Sequence, residues 1–259
     1  MRNKFNCLVL DTETHFKSEH QNIVFDIAWV WGDVRNPTAP KQERRFLVKE
    51  FLLPSYWEHT YADKETGVRK YWKRDSRADA TCKLAHDNPE MVKSWDFIMG
   101  VLHADSSMCD GVGSYNWAFD SRAINNTNRK LNHEGILDSF GITPFCIQDM
   151  YVRKVINRDY FTFIDSLDDN EKSNYLSKSG KNLGYSAEVM ARYVNSHTDY
   201  VESHTALDDS KVEFELTRIF CNRYFDDFKK DFLGNPKGVS WKMVKDRLSS
   251  AEKMRQREA

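Results

Sequence analysis

The sequence predicts an α/β domain whose mixed β-sheet is flanked by helices, with a long polar insertion and a basic helical tail. Three observations predict it. Strand-like runs with short connections open the chain. Beyond residue 110, strand-like and helical runs alternate. Of the 259 residues, 40% are hydrophobic and 13% aromatic, enough for one sizeable core.

Residues 5–11 (FNCLVLD) read as a buried strand. Residues 22–34 (NIVFDIAWVWGDV) are β-branched and aromatic and read as a second, with Gly32-Asp33 beginning a turn. Residues 44–54 (RRFLVKEFLLP) read as the third strand of an antiparallel meander. Residues 55–90 are polar and read as an insertion or long loop with short helices. Pro89 opens a predicted helix over 88–105, where Val92, Trp95, Ile98, Met99 and Leu102 recur at helical spacing. Residues 110–116 are a short strand before a helix from about Phe119 to Leu131. Residues 140–156 are a strand running into a helix, and 160–182 a polar helix plus loop. Residues 184–194 and 204–225 are two further helices. The expected organisation is one domain over 1–228, with the insertion at 55–90, and a basic extension over 229–259. That extension holds nine Lys/Arg against four Asp/Glu.

The net charge is −1 with 30% charged residues, so the field of the whole chain selects no partner. A polyanion would have to be met by local basic patches or by metal ions. Five scattered cysteines without paired spacing fit reduced thiols and no zinc site. The N-terminus lacks the pattern of a signal peptide, and no run nears the roughly 18 apolar residues of a membrane span. A soluble, cytoplasmic protein with no membrane partner is expected.

Three short blocks carry the chemistry. LVLDTETH places Asp11 and Glu13 two apart on an extended segment, hence on one face. SYNWAFDSRAI places Asp120 at the start of a helix. SHTALDDSKVEFEL places His204 ahead of a helix that carries Asp208 and Asp209. Each block alone has an ordinary reading: a strand end with solvated acids, a first-turn acid facing the helix dipole, a loop histidine. The apolar stripe of the last helix is Val212, Leu216, Ile219 and Phe220. Asp208 and Asp209 both fall near it, and Asp209 falls closer to its centre, which favours Asp209 as the inward acid. Four carboxylates suit hard divalent cations, and two such ions with a neutral histidine suit phosphodiester hydrolysis.

Taken in order, the blocks resemble the motifs of DEDDh 3′–5′ exonucleases of the ribonuclease-H-like superfamily, to which proofreading exonucleases and oligoribonucleases belong. D-x-E-T matches VLDTET, N-x-x-F-D matches NWAFD, and H-x-A-x-x-D matches HTALDD. The resemblance covers about residues 5–225 and implies a ribonuclease-H-like sheet. It implies that Asp11, Glu13, Asp120 and Asp209 ligate two Mg²⁺ or Mn²⁺ ions, with His204 as general base. It also implies that Thr12 and His15 touch the 3′ end and that Asn116 and Phe119 line the pocket.

Arg69, Lys70, Tyr71, Trp72, Lys73 and Arg74 interleave aromatics with cations, a pattern suited to stacking and phosphate contact along a single strand. The alternative is a solvated loop whose aromatics pack on the domain. The expected activity is release of 5′-mononucleotides from single-stranded DNA or RNA. The alternatives are a non-catalytic nucleic-acid-binding module on the same fold, or a dinucleotide or oligonucleotide phosphodiesterase. A proofreading role would need a polymerase or another replication partner.

Overall fold

The computed structural model describes residues 4–15, 22–53, 58–62, 69–74, 77–133, 140–176, 184–195, 201 and 205–236. Strands β1 (Asn6–Thr14), β2 (Val24–Asp33) and β3 (Lys41–Val48) form the antiparallel meander. Two further strands, β4 (Glu58–Ala62) and β5 (Arg69–Arg74), pair with each other as a separate hairpin. β6 (Val92–Lys93) lies parallel to β3 at one sheet edge. β7 (Gly111–Ser114) and β8 (Pro144–Cys146) extend the other side, parallel to β1. The result is a mixed six-stranded sheet of order β6-β3-β2-β1-β7-β8.

Two cores flank the sheet, and the alternation of β1 separates them. Cys7 and Val9 enter one core with α4 (Ile147–Lys154), α5 (Arg158–Ser166), α7 (Ala187–Asn195) and α8 (Ala206–Asp227). Leu8 and Leu10 enter the other with α2 (Trp95–Ser106) and α3 (Trp117–Lys130). A central strand covered on both faces reads as a continuous apolar run, which accounts for the unbroken burial of β2 from Val24 to Trp31. Two shorter helices, α1 (Ala78–Asp87) and α6 (Asp169–Ser173), lie in the connections.

Several elements differ from the sequence expectation. The third strand runs 41–48 rather than 44–54, because Lys49–Phe51 turns as a 3-10 helix and buries Phe51. The described part of the 55–90 insertion holds a helix, as expected of it, and a β-hairpin that was not. Pro89 opens only a 3-10 turn, and Val92 pairs with Leu47 instead of lining a helix. The helix begins at Trp95, where the Ser94 hydroxyl accepts the Phe97 N–H. α3 starts at Trp117, two residues earlier than expected. The 160–182 stretch forms α5 and α6, capped by the Asn157 and Asp168 side chains, as far as the described residues extend. α8 breaks at Tyr224 and gives way to a π-helical turn, Phe228–Phe232. Of the basic extension, residues 237–259 lie outside the described residues. Among the described residues, no helix is long and apolar enough to cross a membrane. All five cysteines are free thiols.

Candidate functional site

The alternation that sends Cys7 and Val9 toward α8 sends Asp11 and Glu13 the same way, at the C-terminal end of β1. In open α/β sheets this is the end where ligands bind. α8 packs across β1 and β2 and brings its first turn over that strand end. Thr205 caps the helix, its hydroxyl accepting the Asp208 N–H. This start buries Asp209 and leaves Asp208 exposed. Carboxylate oxygens of Asp11, Glu13 and Asp209 all lie within 4.8 Å of one another.

Asp120 does not join that group. Thr12 points to the opposite face of β1 from Asp11, toward α3, and meets Asp120 there. The Thr12 amide donates to Asp120 Oδ1 at 3.2 Å and the Thr12 hydroxyl at 2.7 Å. Asp120 is buried, which pushes its carboxyl up to about 6 against those hydrogen bonds. Asp11 is pushed well above the usual carboxylate range, first by burial and then by the charges of Glu213, Asp120, Glu13 and Asp209.

Glu213 is an acid that the motif reading missed. It is buried, one helical turn beyond Asp209 on α8, and Glu213 Oε2 accepts the Tyr115 N–H at 2.9 Å. Positions 209, 213, 216 and 220 share one helix face, so a glutamate within the apolar stripe was the available signal.

Two arginines flank the acids. Arg77, just before α1, donates from Nη1 to Glu13 Oε2 at 2.6 Å and from Nη2 to the Thr14 carbonyl at 2.9 Å. Its guanidinium lies 4.9 Å from the centre of the Phe25 ring. On β2, Asp26 sits directly across from Glu13. Arg45 grips Asp26 with two bonds, of 3.1 and 2.7 Å, and the Ala206 N–H adds a third, so this pair ties the meander to the start of α8.

The remaining expected residues divide three ways. His204 lies outside the described residues, as do the side chains of Arg69, Lys70, Tyr71, Trp72, Lys73 and Arg74, although the β5 backbone is described. Thr12 is buried, with its hydroxyl on Asp120. His15 is buried with its ring against Phe25 and Nε2 3.2 Å from the Phe51 carbonyl oxygen. Asn116 is exposed at the start of α3, and Phe119 is half-buried, while Trp117 is the aromatic of that turn that enters the core.

The donor set is all oxygen and carries excess negative charge, which fits hard divalent cations such as Mg²⁺. No protein-family model matches the sequence, and no curated protein sequence matches it. Solved structures do. Exonuclease I from Methylocaldum szegediense aligns at 17% identity with a TM-score of 0.51, over 87% of this chain and 42% of its own. E. coli exonuclease I in complex with a 5cy-dT13 oligonucleotide aligns at 11% identity and 0.54, over 88% and 42%. A full-length 3′-exonuclease aligns at 9% identity and 0.51, over 92% of each chain. This chain thus spans less than half the length of the two exonuclease I structures. At these identities the likeness shows the fold, a ribonuclease-H-like mixed sheet with flanking helices.

Proposed function

We propose that this protein is a metal-dependent 3′–5′ exonuclease of the DEDDh type that releases 5′-mononucleotides from single-stranded DNA or RNA. The observation that carries the reading is the convergence of Asp11, Glu13 and Asp209 at the end of β1, with Asp120 and Glu213 beside them, on a fold shared with exonucleases.

Asp11, Glu13 and Asp209 would hold the first of two Mg²⁺ or Mn²⁺ ions, and Asp120 would complete the set from the α3 side. When bound, such ions lower the pKa of the attacking water and neutralise charge on the leaving oxygen. The chain's own residues do the rest. Strand alternation aims Asp11 and Glu13 at α8, and Thr12 fixes the Asp120 carboxylate. Arg45 and Asp26 fix the start of α8, and so the height of Asp209 over the sheet. His204, two residues ahead of α8, would take the proton from the attacking water as general base. Thr12, His15, Asn116 and Phe119 are assigned to the terminal nucleotide, and residues 69–74 to the strand behind it.

The test is digestion of 3′-labelled single-stranded DNA and RNA oligonucleotides with Mg²⁺ or Mn²⁺. The wild type should release 5′-mononucleotides, and Asp11→Ala should be inert. Asp209→Asn should abolish turnover while Asp208→Asn retains it. His204→Ala should lose rate by two to four orders of magnitude, roughly the worth of a general base, with Mn²⁺ binding kept in calorimetry. Equal metal-dependent digestion by wild type and Asp11→Ala would falsify the reading.

A further inference from the structure

Arg77 belongs to none of the three motifs, yet its guanidinium touches one of the clustered carboxylates. We propose that Arg77 is a substrate-binding residue, contacting a non-bridging phosphate oxygen of the terminal nucleotide while holding Glu13. The proposal rests on the phosphodiesterase reading of the same site.

Charge is the first argument. A phosphodiester brought to this end of β1 faces Asp11, Glu13, Asp120, Asp209 and Glu213. Cations held by those acids offset part of the repulsion, and a guanidinium fixed at the rim offsets more. Arg45 is committed to Asp26 through both of its bonds. Arg77 instead reaches Glu13 itself.

Geometry is the second. The Glu13 carboxylate, the Thr14 carbonyl and the face of Phe25 hold the Arg77 head group from three sides. Its side chain keeps 22% exposure, against 4% for Arg218 farther along α8, which binds the Pro37 and Ala39 carbonyls. A planar, pre-organised guanidinium suits phosphate oxygens, which it meets through directed N–H bonds.

Connectivity is the third. Arg77 follows β5 by three residues, a span of at most about 11 Å for an extended chain. The end of β5 therefore lies within that distance of Arg77, and among the described residues of the insertion Arg77 is one that touches the acid cluster.

The test is calorimetric binding of thymidine and uridine 5′-monophosphates in Mn²⁺, with the unphosphorylated nucleosides and Mn²⁺ alone as controls. Arg77→Ala should bind the monophosphates about tenfold more weakly or worse, the worth of a charge-assisted hydrogen bond. Its nucleoside affinity should be unchanged. Its affinity for Mn²⁺ alone should be equal or tighter, because a neighbouring positive charge is gone. Arg77→Lys, which keeps the charge and guards against misfolding, should recover part of the loss. A residue that merely held Glu13 would give the opposite pattern, weakened Mn²⁺ binding with no selective loss of the monophosphates, and that result overturns the proposal. If the wild type digests oligonucleotides and Arg77→Ala binds monophosphates equally well, the Arg77 inference alone fails. If the wild type binds neither Mn²⁺ nor nucleotide, the functional reading fails with it.

Discussion

The proton on Asp120 competes with two hydrogen bonds from Thr12, and burial tips the balance toward the proton. An acid whose folded pKa lies above its unfolded value holds its proton more tightly in the fold. The stability it contributes is complete below the ordinary value of 3.8 and is lost as the pH rises through about 6. The full rise corresponds to roughly 3 kcal/mol of strain in the ionised, cation-free protein. Asp120→Asn keeps an acceptor for Thr12 and removes that charge. In EDTA at pH 8 it should unfold at a higher temperature than the wild type, with the gap closing near pH 4. A variant that is less stable than wild type at pH 8 contradicts this. Asp11 is pushed up by the same burial and by four carboxylates, Glu213 first among them. Ionised Asp11 and Asp120 are thus costly to the cation-free fold, as expected of groups proposed to hold a cation. Of the acids at the site, Asp11, Glu13, Asp120 and Asp209 were readable in short motifs. Glu213 was not, because an isolated glutamate carries no motif and shows its importance only through its place on the α8 stripe.

At the scale of elements, the site depends on where α8 begins. Asp26 in β2 receives Arg45 from β3 and the Ala206 N–H from α8, so one buried carboxylate joins three elements. Removing Arg45 leaves that carboxylate buried without its ion partner, a change that costs about 3–5 kcal/mol in comparable pairs. Arg45→Met should lower the urea midpoint accordingly. It should also lower kcat more than it raises KM, because Asp209 loses its fixed start. A variant of unchanged midpoint would contradict this role. The helical phase of α8 was read from Val212, Leu216, Ile219 and Phe220. The structure buries Leu216 and Phe220 and only partly covers Val212 and Ile219, and it buries Asp209 and exposes Asp208, the choice that phase favoured. The 88–105 helix was less legible. Val92 fits a helical stripe and a strand equally well, and only the open edge of β3 draws it into the sheet.

For the whole molecule, a cation held by the cluster as proposed would add a term to stability. Mn²⁺ at about one hundred times its dissociation constant should stabilise the wild type by roughly 3 kcal/mol. In a chain of this size, that raises the unfolding temperature by several degrees. Asp11→Ala should show no such rise, and an equal rise in both proteins would place the cation elsewhere. The mixed sheet itself was legible from the meander and the strand-helix alternation that follows it. The insertion was legible only as a change in composition, because an isolated hairpin of polar and aromatic residues gives no strong periodic signal.

The sequence by itself determined the α/β class, the three antiparallel strands and the preference for Asp209 over Asp208. Each of these follows from a local period of two or about 3.6 residues, and local periods survive without a partner. The tertiary structure decided what local patterns cannot contain. It set Asp120 on Thr12, on the α3 side of β1 but near enough for its charge to act on Asp11, and it brought Glu213 to the acids through the packing of α8 on β1. It also carried Arg77, 64 residues away in sequence, onto Glu13. Contacts of that separation are fixed by burial and charge balance in the assembled core, where a lone acid or arginine acquires the neighbours that give it a role.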